Sequence, residues 1–241
     1  MSSAKSLTIV QLYARDMNIY GDNGNVLVLK KRAEWYGYDV RVIEYNPNDE
    51  FPKDADIIVG GGGQDSGQDI IQADLLRIGP TLKKLAEDET PMLVICGLYQ
   101  LFGKFFKTQD GHVINGIGLL DVETTAGPER LIGNIVTHSE QFGDIIGYEN
   151  HSGQTFLGSG VAPLGTIVRG AGNNGQDDYE GARYKNVIGS YLHGSLLPKN
   201  PAIADWLVEQ AAVRKYNDFT GAAVDDRFAT LAREHALKRP R

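Results

Sequence analysis

The residues MLVICGLYQLFG, 92–103, carry the clearest fold signal in this chain. Four apolar residues, 92–95, predict a short buried strand, and residues 98–106 predict a helix. Cys96 and Gly97 lie at the junction between the two. A strand that turns directly into a helix is the repeating unit of α/β proteins with parallel sheets.

The same alternation of strands and helices continues on both sides of this unit. Further strands are predicted at 7–13, 39–45, 56–59 and 186–192, and further helices at 26–36, 68–87 and 201–216. The 68–87 helix is expected to break near Gly79 and Pro80, and residues 111–170 are expected to form more strands and loops. The chain is therefore predicted to be an α/β protein with a single doubly wound, mostly parallel sheet and helices on both faces.

The composition is that of an ordinary globular protein. The 241 residues are 41% hydrophobic and 23% charged, which argues against a disordered chain. The net charge of −7 argues against broad binding of nucleic acids or anionic membranes.

The only cysteine is Cys96, so the chain has no internal disulfide and suits a reducing compartment. No metal site is predicted, because one cysteine cannot build a structural zinc site. The N-terminal residues MSSAKSLTIV lack an apolar run of the length of a signal peptide or membrane anchor. We expect a soluble, cytoplasmic protein.

Three features follow predicted strands: the glycine run 60–63, Cys96 and His193. Ligands bind at the carboxyl ends of the strands in open parallel sheets, so these features should meet at one edge. A thiol at a helix N-terminus is favoured as a thiolate nucleophile, and a histidine can exchange protons with it. A buried core cysteine and a histidine that satisfies a loop carbonyl are the alternatives, and these motifs alone leave them open.

The glycine run can bring backbone N–H groups close to a ligand, as in an oxyanion hole. Phosphate binding is the usual rival for such loops. The chain lacks the G-x-x-x-x-G-K-[ST] pattern of a P-loop, and the run does not match a dinucleotide fingerprint.

Together these segments resemble a known family. IVGGGGQD (58–65), VICGLYQLFG (94–103) and GSYLHGSLLPKN (189–200) occur in the order and spacing of class I glutamine amidotransferases, of the CobB/CobQ type, which have a flavodoxin-like fold. YGDNGN (20–25), RLIGNI (130–135), GYENHSGQTF (147–156) and GAGNNG (170–175) are similar to the GatD subunits of lipid II isoglutaminyl synthases. The resemblance predicts an amidotransferase domain over 1–216, followed by a charged C-terminal helix or tail over 217–241.

The resemblance implies a reaction divided between two subunits. GatD-like subunits hydrolyse L-glutamine through a cysteinyl thioester and pass ammonia to a MurT-like partner related to the Mur ligases. The partner uses ATP, with Mg²⁺, to amidate D-glutamate of the lipid II stem peptide to D-isoglutamine at the inner face of the membrane. No cofactor is therefore expected in this chain, which would form a heterodimer.

The same resemblance implies roles for individual residues. Cys96 is the expected nucleophile and His193 the general base, with Gly62 and Gly97 as oxyanion-hole donors. Arg130 is expected to bind the carboxylate of glutamine, for which a guanidinium is well suited. The remaining expected substrate-binding residues are Gln100, Asn150 and His151.

Two positions depart from the family pattern. Leu98 stands where a second glycine is usual after the cysteine, which could change the access route. Ser195 stands where a glutamate usually completes the catalytic triad, two residues after the histidine. Our hypothesis is that the partner subunit supplies the missing carboxylate, and Asp22 is the rival within the chain.

Two other functions remain open at this point. One is the amidotransferase part of a system similar to cobyric acid synthase, although such domains usually belong to longer chains. The other is a glutamine-binding module with reduced catalysis, which the missing glutamate keeps open.

Overall fold

The computed structural model describes residues 5–240 and contains two six-stranded sheets. Sheet 1 has the order β11-β12-β4-β3-β1-β2 and is parallel apart from β11. Its strands are β1 (Ser6–Leu12), β2 (Asp39–Tyr45), β3 (Ile57–Gly60), β4 (Met92–Ile95), β11 (Ala182–Tyr184) and β12 (Val187–Ser190). The central strands β3, β4 and β12 are buried along their whole length, as expected for a parallel sheet covered on both faces.

Sheet 2 is built around an antiparallel pair of long strands, β7 and β8. Its strands are β5 (Phe105–Lys107), β6 (Val113–Asn115), β7 (Val122–Ser139), β8 (Gly143–Leu157), β9 (Gly165–Arg169) and β10 (Tyr179–Glu180). The predicted α/β fold class, with its doubly wound parallel sheet, is confirmed. Sheet 2 corrects the expectation of a single sheet, because residues 111–170 pair with one another instead of joining sheet 1.

Six helices are found among residues 5–240. They are α1 (Asn23–Trp35), α2 (Asp65–Glu87), α3 (Gly97–Phe102), α4 (Leu196–Lys199), α5 (Pro201–Tyr216) and α6 (Arg227–Leu237). The crossovers β1-α1-β2 and β3-α2-β4 run in opposite directions along the sheet, so right-handed connections put α1 and α2 on different faces. The strand order therefore reverses between β1 and β3, where such sheets form a binding crevice.

Two helix predictions were wrong in detail. α2 is one helix that contains Pro80, and its predicted break is absent. Pro80 lies on the exposed face, where the carbonyl that loses its hydrogen bond can be hydrated, while Gly79 is buried against Ile117. The helix after Cys96 ends at Phe102, because Phe105 and Phe106 already belong to β5. No helix among residues 5–240 is long and apolar enough to span a membrane.

The C-terminal segment packs against the domain through polar contacts. Arg32 of α1 forms ion pairs with Asp205 and, at 2.7 Å, with Asp226 just before α6. Arg233 of α6 donates to the carbonyl oxygen of Asp144 at 2.7 Å. The domain bounds 1–216 and 217–241 stay predictions, and residues 1–4 and 241, which they include, lie outside the described residues.

Candidate active site

Cys96 occupies a strained turn between β4 and α3. Its backbone has φ 51° and ψ −105°, a conformation that is costly for any residue with a side chain. The Cys96 N–H donates to the carbonyl of Ser190 at 2.8 Å, which fastens the turn to β12. This geometry resembles the nucleophile elbow of serine hydrolases, in which strain exposes a nucleophile above the sheet.

His193 and Cys96 lie side by side at the carboxyl edge of sheet 1. β12 pairs in parallel with β4, and Ser190 is the partner of Ile95, so both side chains emerge from neighbouring strand ends. A methyl group built on Gly62 would lie 2.8 Å from Cε1 of His193 and 3.1 Å from Cβ of Cys96. The backbone of Gly62 therefore packs against both side chains, and only glycine fits there.

Asp22 is the carboxylate next to His193. Its Oδ2 lies 3.6 Å from Nδ1 of His193, and the two side chains are only 2% and 1% exposed. The distance exceeds a hydrogen bond, so the contact is electrostatic, and catalytic hydrogen bonds often tighten only with substrate bound. Asp22 precedes α1 at the β1 end of the crevice, which places the rival carboxylate of the sequence analysis beside the histidine.

The charges around His193 favour its protonated form. Burial of the ring opposes protonation, but the Cys96 sulfur and the Asp22 carboxylate favour it more strongly and raise the pKa of His193 to about 10. An imidazolium beside a thiolate is the active arrangement of cysteine–histidine pairs.

The oxyanion-hole prediction needs a correction at Gly62. Its N–H donates to Oδ2 of Asp22 at 2.8 Å and is therefore not free for a substrate oxygen. Gly63 lines the cavity in front of Cys96, and its N–H has no hydrogen-bond partner among the described residues. Its nitrogen lies 3.2 Å from a methyl group built on Gly97, whose own N–H opens α3. Gly63 and Gly97 are therefore the pair of available donors.

Ser195 does not leave a gap where the usual glutamate is missing. Its hydroxyl donates to the carbonyl oxygen of Gly21 at 2.8 Å and so ties the histidine loop to the loop that carries Asp22. A methyl group built on Gly24 would lie 2.2 Å from Oγ of Ser195. A longer side chain at position 195 therefore cannot follow the direction of the serine hydroxyl.

The second departure, Leu98, does not narrow the access route. Its side chain is completely buried and packs over Gly60, where a methyl group would lie 2.2 Å from its Cδ1. Gly60 thus supplies the space that the leucine needs, and the cavity in front of Cys96 is lined by other side chains.

The cavity has a volume of about 560 Å³. Arg130 stands at its mouth, where its Nε donates to Oδ1 of Asn150 at 2.6 Å and one Nη donates to the Tyr20 hydroxyl at 3.2 Å. These contacts hold the guanidinium while leaving its other N–H groups available for a carboxylate. Tyr20 also packs on His193, with ring centroids 4.4 Å apart.

Gln100 and His151 form the inner wall of the cavity. Both ends of the Gln100 amide are engaged, since Oε1 accepts from Gln68 at 2.6 Å and Nε2 donates to the Tyr191 hydroxyl at 3.1 Å. The ring of His151 lies flat on that of Tyr191, with centroids 3.6 Å apart. Gln100 thus stabilises the wall of the cavity and has little free capacity for substrate.

The sequence analysis overlooked Tyr20, Gln68 and Tyr191, and it named Gly63 only as part of the glycine run 60–63. Tyr20 lies within the quoted YGDNGN motif, and Tyr191 lies two residues before His193, so both were close to recognised signals. Gln68 carried no such signal. Its role depends on α2 passing beside α3, where its Nε2 donates to the carbonyl of Gly97 at 3.2 Å.

A buried carboxylate beside Ser190 and Tyr191 makes stability depend on pH. Burial, together with the charge of Glu149, raises the pKa of Glu180 to about 8, although the Tyr191 N–H and the Ser190 hydroxyl oppose the shift. The folded protein therefore binds one more proton than the unfolded chain between about pH 4.5 and pH 8. This contribution to the free energy of unfolding is present below pH 4.5 and is lost as the pH rises to 8.

Replacing Glu180 by glutamine, which mimics the protonated acid, should remove this dependence. We expect the melting temperature of Glu180→Gln to exceed that of the wild type by at least about 5 °C at pH 9, and the two to converge at pH 5. Thermal unfolding followed by circular dichroism from pH 5 to 9 measures the difference. Parallel curves for the two proteins would contradict the assignment.

Comparison with known proteins finds a family model and relatives that match most of the chain. Residues 8–201 match the model of the CobB/CobQ-like glutamine amidotransferase domain. The Staphylococcus aureus subunit GatD of lipid II isoglutaminyl synthase (glutamine-hydrolysing) is 40% identical over 97% of this chain and 96% of its own length. The Streptococcus pneumoniae protein of the same name is 41% identical over 87% of this chain and 82% of its own.

The fold is also found among solved structures. A chain in the structure of PurLQS from Thermotoga maritima superposes with a TM-score of 0.59, covering 89% of this chain and 100% of that one. At 16% sequence identity, this likeness supports the fold alone.

Proposed function

The chain belongs to the CobB/CobQ-like glutamine amidotransferases, within the group of GatD subunits, and from this premise we propose a two-subunit reaction. In it, this chain hydrolyses L-glutamine through a cysteinyl thioester, and the ammonia amidates D-glutamate of lipid II to D-isoglutamine. The observation that carries the proposal is the buried group of Cys96, His193 and Asp22 beside one cavity. The 40% identity over nearly the whole chain favours lipid II over a corrinoid acceptor.

The first half of the reaction breaks the carboxamide C–N bond. The Cys96 thiolate attacks the carboxamide carbon, and the negative oxygen accepts hydrogen bonds from the N–H groups of Gly63 and Gly97. Protonated His193 then gives its proton to the leaving nitrogen, and ammonia departs. The product is a glutamyl thioester on Cys96.

The second half releases glutamate. His193, now neutral, takes a proton from water, and the resulting hydroxide attacks the thioester carbon. The C–S bond breaks, and the starting pair of thiolate and imidazolium is restored. Glutamate leaves with its new γ-carboxyl group protonated, and this group then gives its proton to water. Asp22 stabilises the imidazolium in both halves.

The ligase half falls to a partner related to Mur ligases, of the MurT type. The chain lacks a P-loop motif, and the proposal assigns ATP, Mg²⁺ and the lipid-linked acceptor to that partner. In this arrangement the protein works as a heterodimer in the cytoplasm, at the inner face of the membrane.

The proposal is tested by amidation of lipid II. The chain is purified together with its partner from the native host, and D-isoglutamine formation is measured with L-glutamine, ATP and Mg²⁺. We expect amidation to require ATP and Mg²⁺ together with a nitrogen source, which is either L-glutamine or, when glutamine is omitted, ammonium. A complex that releases glutamate but amidates a different acceptor would refute the lipid II assignment alone.

A further inference from the structure

His151 is a buried histidine of the cavity wall for which the reaction above has no use. Its side chain is 2% exposed, and it lines the same cavity as Cys96 and Arg130. Its Nε2 is buried and has no hydrogen-bond partner among the described residues. A buried polar atom without a partner is costly, so a ligand that satisfies it gains affinity.

The neighbours of His151 determine which of its nitrogens carries the proton. Nδ1 lies 2.6 Å from the carbonyl oxygen of Gly153, which can only accept, so Nδ1 must be the donor. Burial, assisted by the charges of His193 and Arg130, lowers the pKa of His151 to about 3. The ring is therefore neutral at physiological pH, and Nε2 presents a lone pair.

His151 lies next to the residue that is expected to bind the α-carboxylate of the substrate. Arg130, the expected partner of the α-carboxylate, bonds to Asn150, and its neighbour Leu131 pairs with His151 across β7 and β8. The α-ammonium and α-carboxylate share one carbon, so their partners must be adjacent. The carbonyl groups of Gly153 and Gly172 raise the pKa of His151 and so favour positive charge at this place, although the effect of burial on the pKa is larger.

We propose that Nε2 of His151 accepts a hydrogen bond from the α-ammonium group of glutamine, which selects the free amino acid over compounds without this group. The inference rests on the proposed function, because it takes L-glutamine as the substrate. It makes His151 a specificity residue whose effect lies at the amino-acid end of the substrate, away from the bond that breaks.

Asp65 is the alternative acceptor. It lines the same cavity at the start of α2, but its side chain is exposed and lies at the helix end that favours a carboxylate. It therefore needs no ligand to be satisfied, whereas Nε2 of His151 does. Asp65→Asn is the matched control variant.

The test compares L-glutamine with 4-carbamoylbutanoate, which is glutamine without its α-amino group. Both are assayed by ammonia release from the full chain in complex with its ligase partner. We expect the wild type to prefer L-glutamine in kcat/KM by about 10- to 100-fold, as for a hydrogen bond to a charged group. His151→Phe keeps the ring on Tyr191 and should abolish this preference, while His151→Gln restores part of it.

The ratio of the two substrates separates the outcomes. Equal losses for both substrates in His151→Phe, with the ratio kept, mean that His151 only supports the wall, and the proposal fails. A ratio lost in Asp65→Asn and kept in His151→Phe assigns the ammonium to Asp65 and overturns it as well. A wild-type complex that hydrolyses neither compound refutes the proposed function itself.

Discussion

Replacing Cys96 by alanine is expected to lower kcat for glutamine hydrolysis by about 10⁴-fold or more. Loss of a nucleophile from a cooperating group costs nearly as much as loss of the whole group, since the remaining residues cannot start the reaction. The partner's ligase half should survive, because amidation with ammonium chloride bypasses this chain. Glutamate release and ammonium-dependent amidation, measured on the same complex, check the two halves separately.

The strain at Cys96 offers a matched control. Its φ of 51° suits glycine, so the free energy of unfolding of Cys96→Gly should exceed that of Cys96→Ala by about 1 kcal/mol. Cys96→Gly should therefore also melt at a higher temperature, while both variants stay inactive. Greater stability with no activity would show that the strain serves the nucleophile. Cysteine-independent glutamate release from either variant would contradict the thioester mechanism.

Much of sheet 1 was predictable because its strands are short and apolar. The runs at Met92–Ile95 and Asp39–Tyr45 were predicted with their observed bounds, and the strand before His193 was predicted within two residues at its C-terminal end. Since parallel strands end at one edge, the order of elements predicted that Cys96 and His193 lie at the same edge. That they are neighbours depends on the pairing of β4 with β12, which only the structure shows.

Sheet 2 and the hydrogen bond between Gly62 and Asp22 could not be predicted from the sequence. β7 spans 18 residues and β8 spans 15, and their pairing depends on a long antiparallel contact that local sequence patterns do not reveal. The bond from the Gly62 N–H to Asp22 joins residues 40 positions apart. It depends on β1 and β3 lying side by side in sheet 1, which brings the loops that follow them together.

Replacing Asp22 by asparagine tests where the third member of the catalytic group comes from. Asparagine can still accept the Gly62 N–H but carries no charge to stabilise the His193 imidazolium. We expect kcat to fall by about 10²- to 10⁴-fold, as in other triads whose carboxylate becomes an amide. The measurement is glutamate release by the full chain, with and without its ligase partner.

The pH profile identifies the cause of that loss. The reaction uses protonated His193, so activity declines as the pH rises through its pKa, which Asp22 helps to raise. Asp22→Asn should therefore move the basic limb of kcat/KM to lower pH, a shift that a purely structural defect would not produce. If the partner subunit supplies the carboxylate, as first hypothesised, the complex with Asp22→Asn keeps both its rate and its profile.

A carboxylate at the usual position should not rescue Asp22→Asn. The Ser195 hydroxyl already bonds to Gly21, and the close approach of Gly24 blocks a longer side chain in that direction. In Ser195→Glu, a glutamate aimed at His193 along this direction pushes away the loop that carries position 22, so we expect the double variant to be less active than Asp22→Asn alone. Restored hydrolysis in the double variant would mean that the loop moves at little cost in stability, so that the catalytic carboxylate can stand at position 22 or at position 195. The packing of Gly24 against Ser195 argues against this, because it favours a small side chain at position 195 and leaves the carboxylate to position 22.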